Sequence, residues 1–379
     1  MIPTTPARFV HTPFTPWKRP RVESLSGTKA VWHTLWSESY SNPRYAELVP
    51  RLTRLFFAPI RQRRGALGRL DGGIVRRTHL IQRRTLRWYH ENGLQLLLTP
   101  DPSQARLFRG PVVVDLDDPQ HTPLEEAALR APNIRHTVVT TPLIAHYVQA
   151  SNPAVDVTVI PQGVDLERVT HARSLDVRRD LLSRLDLPFD TVIVGYHAPF
   201  ICASGEPSVQ ETSIRTFQID VLLQAVQRLW ADGLSFVVLL VGEPSQELRA
   251  LAHRERRLSL SGYVDRDRLF DWVGCFDIGA YPRTVDFEGR ESVKLLEYMA
   301  CSAAIVAMST SETEVLNATS AGYVAADQEE FRRGLHRLIE DRAARRELGE
   351  CGRQFVSSRD WRSLAASYDA IVNGVAETL

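Results

Sequence analysis

Short apolar runs of strand length alternate with amphipathic helical stretches over most of this chain, and the alternation begins twice. Leu94–Leu98, Val112–Val114, Thr137–Thr141 and Val157–Ile160 form the first series, separated by stretches such as Pro123–Arg130 and Leu143–Ala150. Continuous apolar strands with helices between them are the mark of parallel α/β sheets, whose strands are covered on both faces. A second series starts at Thr191–Gly195. It continues through a helical face of Ile219, Leu222, Leu223, Val226 and Leu229, the strands Phe236–Val241 and Asp277–Tyr281, a helix from Ser292 and the strand Ala304–Met308. A chain of 379 residues can bury two such cores. The expected division is an N-terminal domain of residues 1–165 and a C-terminal domain of residues 166–379, parted at the segment Pro161-Gln162-Gly163-Val164-Asp165. The terminal helix is free to pack back on the first domain. The first 90 residues, rich in Pro and Arg, show little periodicity.

Several classes of protein are excluded at this stage. No apolar run approaches the ~20 residues that span a bilayer, and the proline-bearing N-terminus lacks the apolar centre of a signal peptide. The expected location is cytoplasmic. Cys202, Cys275, Cys301 and Cys351 are too scattered for a zinc site or a disulfide framework. The net charge of +1 conceals an asymmetry. Residues 1–110 carry 19 Lys and Arg against 6 Asp and Glu, and the remainder 27 against 39. A basic first domain points to an anionic partner. Trp32, Trp36 and Trp88 among its arginines suit either a membrane-facing surface or ordinary packing. No nucleic-acid-binding motif accompanies the charge.

The chemistry concentrates in the segment from Asp277 to Cys301. A buried strand ends near Pro282, a charged loop follows, and Ser292 is placed to cap a new helix. Lys294 in the first turn opposes the positive end of the helix dipole unless an anion sits there. Arg283 and Arg290 are placed to add bidentate contacts to the same anion. Glu297, about one turn on, is placed to accept hydrogen bonds from a vicinal diol such as that of a ribose. Taken as residues alone, Lys294 and Glu297 fit equally a simple surface ion pair.

Ser292-Val-Lys-Leu-Leu-Glu-Tyr-Met-Ala-Cys301, followed by Ala303-Ala-Ile-Val-Ala307, resembles the nucleotide-binding segment of glycosyltransferase family 4. Val155–Asp165, Val238–Gly242, Leu260–Val264, Ser320–Val324 and Arg346–Arg353 resemble other elements of that family in the right order. The resemblance implies the GT-B fold: α/β, with two Rossmann-like domains built on parallel sheets and facing an interdomain cleft. It further implies a retaining transferase that uses no cofactor and no metal, with a nucleotide-diphosphate sugar as donor substrate. Glu297 would then bind the ribose, and the amides of Ser292 and Val293 with Lys294 would bind the diphosphate. A glycan or lipid-linked acceptor would lie on the basic first domain, which could rest on the anionic inner membrane face.

The match departs from the family at three places. The family often carries a first glutamate separated from the second by seven intervening residues, and here that position is Gly289. Glu288 and Glu291 are the candidate replacements. The usual pair of basic residues for the diphosphate is also missing: the strand runs into Tyr196-His197-Ala198-Pro199, and the Lys-Gly position is Phe217-Gln218. Arg215 and His197 are the substitutes. The glycine that closes the helix is Ser302, so a differently shaped helix end is expected. Asp118 is read as an acceptor-side group. Asp115-x-Asp117 also fits a metal site or a phosphatase nucleophile. The departures leave open a GT-B-fold binding or scaffold protein with impaired catalysis.

Overall fold

A computed structural model describes residues 8–11, 31–34, 94–119, 121–203, 219–286 and 289–377. It divides the chain into two compact units: residues up to Pro161 together with Leu364–Leu379, and Gln162–Ser363. The division thus falls four residues before the expected boundary at 165, and the chain from Leu364 is grouped with the first unit.

The first unit holds a six-stranded parallel sheet in the order β2-β1-β3-β4-β5-β6. Its strands are β1 (Arg8–His11), β2 (Val31–Thr34), β3 (Leu94–Thr99), β4 (Val112–Leu116), β5 (Ile134–Val139) and β6 (Asp156–Val159). Two helices, α1 (Pro123–Leu129) and α2 (Pro142–Ser151), each begin at a threonine whose hydroxyl accepts a first-turn N–H and each carry proline in the first turn. The residues Thr140 and Thr141, expected in a strand, therefore end β5 and cap α2, because the threonine–proline pair favours a helix start. One sheet face packs Leu97, Val112, Val114 and Val139 against Ile144 and Val148 of α2. The other packs Leu96, Leu98, Val113, Val138 and Ile160 against Ala365, Tyr368 and Val372 of the terminal helix, Trp361–Glu377.

The second unit repeats the scheme with β7 (Ile193–Ile201), β8 (Val237–Pro244), β9 (Leu258–Leu260), β10 (Ile278–Tyr281), β11 (Ala304–Met308) and β12 (Gly322–Ala325). Its helices are α3 (Leu166–Thr170), α4 (Ser174–Leu185), α5 (Asp220–Ala231), α6 (Gln246–Arg254), α7 (Leu269–Val273), α8 (Val293–Ala300), α9 (Glu314–Thr319), α10 (Gln328–Glu340) and α11 (Arg342–Val356). The strand order is β9-β8-β7-β10-β11-β12, all parallel. Chain direction along the sheet reverses between β7 and β10, the arrangement that opens a ligand crevice beyond the carboxyl ends of those two strands. β7 extends past the expected Gly195 to Ile201, through the residues read as the start of a loop. An irregularity in its pairing with β8 between His197 and Phe200 accommodates Pro199.

Two glycines shape this switch point. Gly195 of β7 and Gly279 of β10 are register partners. A Cβ on Gly195 would come within 2.1 Å of the Phe276 ring, and one on Gly279 within 2.6 Å of the Tyr298 ring. The absent side chain at Gly279 lets Tyr298, wholly buried on α8, lie against β10, and that at Gly195 makes room for Phe276. The Tyr298 hydroxyl meets the Ala280 carbonyl at 3.4 Å and accepts the His197 N–H at 3.3 Å. α8 is seated against β7 and β10 by this contact.

Ser302 follows α8 with φ of +57°. A left-handed turn is therefore kept without glycine, contrary to the different helix end expected from the serine. Gly349 of α11, where a Cβ would lie 2.2 Å from the Ser302 carbonyl, allows the close approach beneath it. The Arg353 guanidinium also donates to the Ala300 carbonyl at 2.6 Å, a cation meeting the carbonyl end of the helix.

Candidate functional site

The groups singled out in Ser292–Glu297 come together with side chains of β7 and β10. Pairing between those strands ends at Gly195 and Gly279, so Tyr196, His197 and Tyr281 lie where the strands part. Ser292 occupies the N-cap position of α8 with extended backbone, but no side chain caps the helix. The first-turn N–H groups at Val293 and Lys294 are thereby left without a side-chain acceptor from Ser292.

Lys294 is half-buried at this turn. Its ammonium lies 3.3 Å from the Tyr196 hydroxyl, 4.6 Å from the centre of the Tyr196 ring and 6.0 Å from that of Tyr281. Burial, reinforced by the positive charge of Arg283, pushes its pKa down to about 7, against the pull of Glu297 and Glu312. A cation in the first turn of a helix is poorly accommodated without an anion. Arg283 lies beside it. One guanidinium nitrogen contacts both oxygens of Glu312, at 2.8 and 3.0 Å, and the Tyr281 hydroxyl donates to the same carboxylate at 2.5 Å. The Tyr281 ring lies 5.5 Å from the Arg283 guanidinium.

Glu297 is 1% exposed. His197 Nε2 lies 3.0 Å from one of its oxygens, and the Arg266 guanidinium contacts the other. Burial would raise the carboxyl. Arg266 and His197 outweigh it and hold the pKa at about 2. Burial pushes His197 below its usual value despite Glu297, so it faces the carboxylate as a neutral ring. Both are close contacts by distance, that of Arg266 an ion pair. Among the described residues, neither Glu297 Oε1 nor His197 Nε2 has an aligned hydrogen-bond partner, a state that buried polar atoms rarely keep.

The remaining predicted residues are dispersed. Glu291 takes the Gln162 backbone N–H on one oxygen at 2.7 Å and the Arg359 guanidinium on the other at 2.7 Å. Its carboxylate thus ties the loop before α8 to the start of the second unit's own chain. Arg290 and Val293 are half-buried beside Ser292. Glu288 and Arg215, like Phe217-Gln218, Trp36 and Trp88, lie outside the described residues, as does the side chain of Trp32. Asp118 follows β4 in the first unit and is half-buried. Asp115 is buried, and the Tyr368 hydroxyl of the terminal helix donates to it at 3.1 Å. That bond gives Asp115 a structural task.

Four residues of the cluster escaped the sequence reading: Tyr196, Tyr281, Arg266 and Glu312. Arg266 lies two residues past the recognised Leu260–Val264 segment, and Glu312 follows β11. Only the fold brings them to α8, and nothing in their local sequence signals it.

Comparison with known proteins bears on the fold and on one stretch of the sequence. Residues 212–341 match the family described as Glycosyl transferases group 1. A search of curated protein sequences finds no match. Among solved structures, the chain resembles HepE of Anabaena in complex with UDP and glucose, at 14% identity and a TM-score of 0.62, covering 97% of this chain and 100% of that one. It resembles α,α-trehalose 6-phosphate synthase from Burkholderia multivorans at 12% identity and 0.64, covering 99% of each chain. It also resembles WaaG, a glycosyltransferase involved in lipopolysaccharide biosynthesis, at 12% and 0.59, covering 97% and 100%. These likenesses show the GT-B fold, with its two parallel sheets. Over residues 212–341, the stretch that carries α8 and Glu297, the chain resembles the group 1 glycosyltransferases.

Proposed function

We propose that the chain is a retaining glycosyltransferase of the family 4 type that moves a sugar from a nucleotide-diphosphate donor to a lipid-linked or envelope-glycan acceptor. The reading is carried by one observation: Lys294 and Glu297 of α8 meet Tyr196 and His197 of β7 where the strand order reverses. The open N–H groups of α8 with Lys294 would hold the diphosphate, and Arg283 would add charge beside it. Their donors stabilise the negative charge that grows on the departing diphosphate, the service a metal gives in other transferases. Glu297 would take the ribose hydroxyls, with His197 behind its second oxygen. Arg290, and Arg215 and Glu288 from the neighbouring sequence, remain candidates for the donor, and Asp118 for the acceptor. For Glu291 the reading changes from sugar contact to holding the loop that leads into α8.

The donor chemistry is supported by HepE, whose structure was solved with UDP and glucose, and an envelope acceptor by WaaG, which is involved in lipopolysaccharide biosynthesis. Among the described residues no helix is long and apolar enough to cross a membrane. The basic first 110 residues favour a place at the cytoplasmic membrane face.

A thermal-shift screen against UDP-, GDP-, ADP- and TDP-sugars tests the reading, because a ligand that binds the folded chain raises its melting temperature. Glu297→Ala should weaken binding of the stabilising nucleotide by ~1–3 kcal/mol. An unchanged affinity would remove the ribose role. A second reading, a binding protein with impaired catalysis, is favoured by the covered state of Glu297. It predicts donor binding without nucleotide release.

A further inference from the structure

The carboxylate assigned above to the ribose already has two basic partners. Glu297 is buried on α8, and the group closing it from the side opposite His197 is the guanidinium of Arg266, from the loop between β9 and α7. A buried carboxylate is costly without a counter-charge, so an empty site of this design needs such a group. The neighbouring loop is built differently from the core. Arg266 itself is 29% exposed. Gly262 has φ of +72° with nothing within 4 Å of where a Cβ would stand, and Tyr263 is 67% exposed. His197, by contrast, is buried in β7 and packed edge-on to Tyr298 at 5.4 Å. Of the two partners, Arg266 is the one able to leave.

We propose that Arg266 is a positioning residue that neutralises Glu297 in the empty site and is exchanged for the ribose hydroxyls when a nucleotide binds. The inference rests on the donor-site reading above. In the exchange His197 stays on one carboxylate oxygen. The guanidinium turns to water, and the two hydroxyls bring the donors that Glu297 Oε1 lacks in aligned form. Arg266 therefore opposes nucleotide binding. A group that must be displaced lowers apparent affinity by the strength of the contact it gives up.

The test measures binding of UDP, GDP, ADP and TDP, and of inorganic pyrophosphate, to the natural chain and to Arg266→Ala and Arg266→Gln. Pyrophosphate has no ribose and should meet only the α8 turn. Exchange predicts that the variants bind the preferred nucleoside diphosphate at least about tenfold more tightly, with pyrophosphate affinity unchanged or lower. Glutamine keeps a neutral donor for Glu297, so it guards against a fold failure in the alanine variant. Nucleotide affinity that is unchanged or weaker in both variants would overturn the proposal, as would equal tightening for pyrophosphate, which would mean general loosening. Nucleotide binding by the variants but not by the natural chain would support it strongly. If none of the three proteins binds any nucleotide, the donor-site reading fails and the exchange fails with it.

Discussion

Lys294 gives the donor-site reading its most quantitative consequence. In the empty site its pKa is about 7, lowered by burial and by Arg283, so near neutrality about half of the molecules carry the charge. A sugar nucleotide is a suitable ligand, because its diphosphate is esterified at both ends and gains no proton in this range. If the bound diphosphate restores the lysine to a pKa well above 9, only the protonated form binds strongly. Affinity should then fall as pH rises, about fivefold from pH 7 to pH 8 and about tenfold for each unit beyond. Glu297, held at about 2, and His197, lowered from its usual value, should not change state in that window. Isothermal titration in two buffers of different ionisation enthalpy would show proton uptake of about one half at pH 7, rising toward one at pH 8. Lys294→Met should bind weakly and flatten the profile. The sign for folding is opposite: the unfolded chain holds the proton up to its ordinary pKa, so raising pH from about 7 toward 10.5 should stabilise the native state. Donor affinity that is level across this range, with no proton exchange, would refute the placement of the diphosphate at Lys294.

Two further changes test the frame around the site. Ser302→Gly should raise stability by ~1 kcal/mol, because glycine accepts φ of +57° without the clash a Cβ brings there. A urea midpoint that moves up with unchanged slope would confirm it, and an unmoved or lower midpoint would contradict it. Tyr368→Phe removes the donor to buried Asp115 and should cost the first unit ~1–3 kcal/mol. A melting profile identical to that of the natural chain would show that the bond contributes nothing.

Where the sequence spoke clearly, burial was the reason. β4, β8 and β11 are each covered on both sides, so their apolar runs are continuous and nothing else fits them. α8 was legible from its spacing and from the incongruous cation in its first turn. β7 was cut short because His197 and Pro199 resemble loop residues, although the first is buried and the second coincides with a break in pairing. Of the terminal helix the sequence says only that it is free to pack back on the first unit, and the partner there is the β3–β4–β5 face. The cluster on α8 was half legible. Lys294 and Glu297 announced themselves, whereas the contact of Glu297 with Arg266 joins residues whose nearness depends on the whole sheet order. Ser302 shows the limit of residue rules: a left-handed turn forms there because Gly349 lets the neighbouring helix close in beneath it.

The second unit also has its chain ends fastened together. Val164 forms a parallel bridge with Asp360 and exchanges backbone hydrogen bonds with Arg359 and Trp361, while Gly163 leaves no room for a Cβ against the Trp361 ring. Residues 162–363 are thus a loop of chain with a closed neck, inserted between two stretches that build the first sheet and its cover. A stop codon shortly after residue 363 would therefore leave the second unit whole and strip the covering helix from Leu96, Leu98 and Val113, far away in sequence. Damage at the carboxyl terminus would be felt in the half of the protein that is made first.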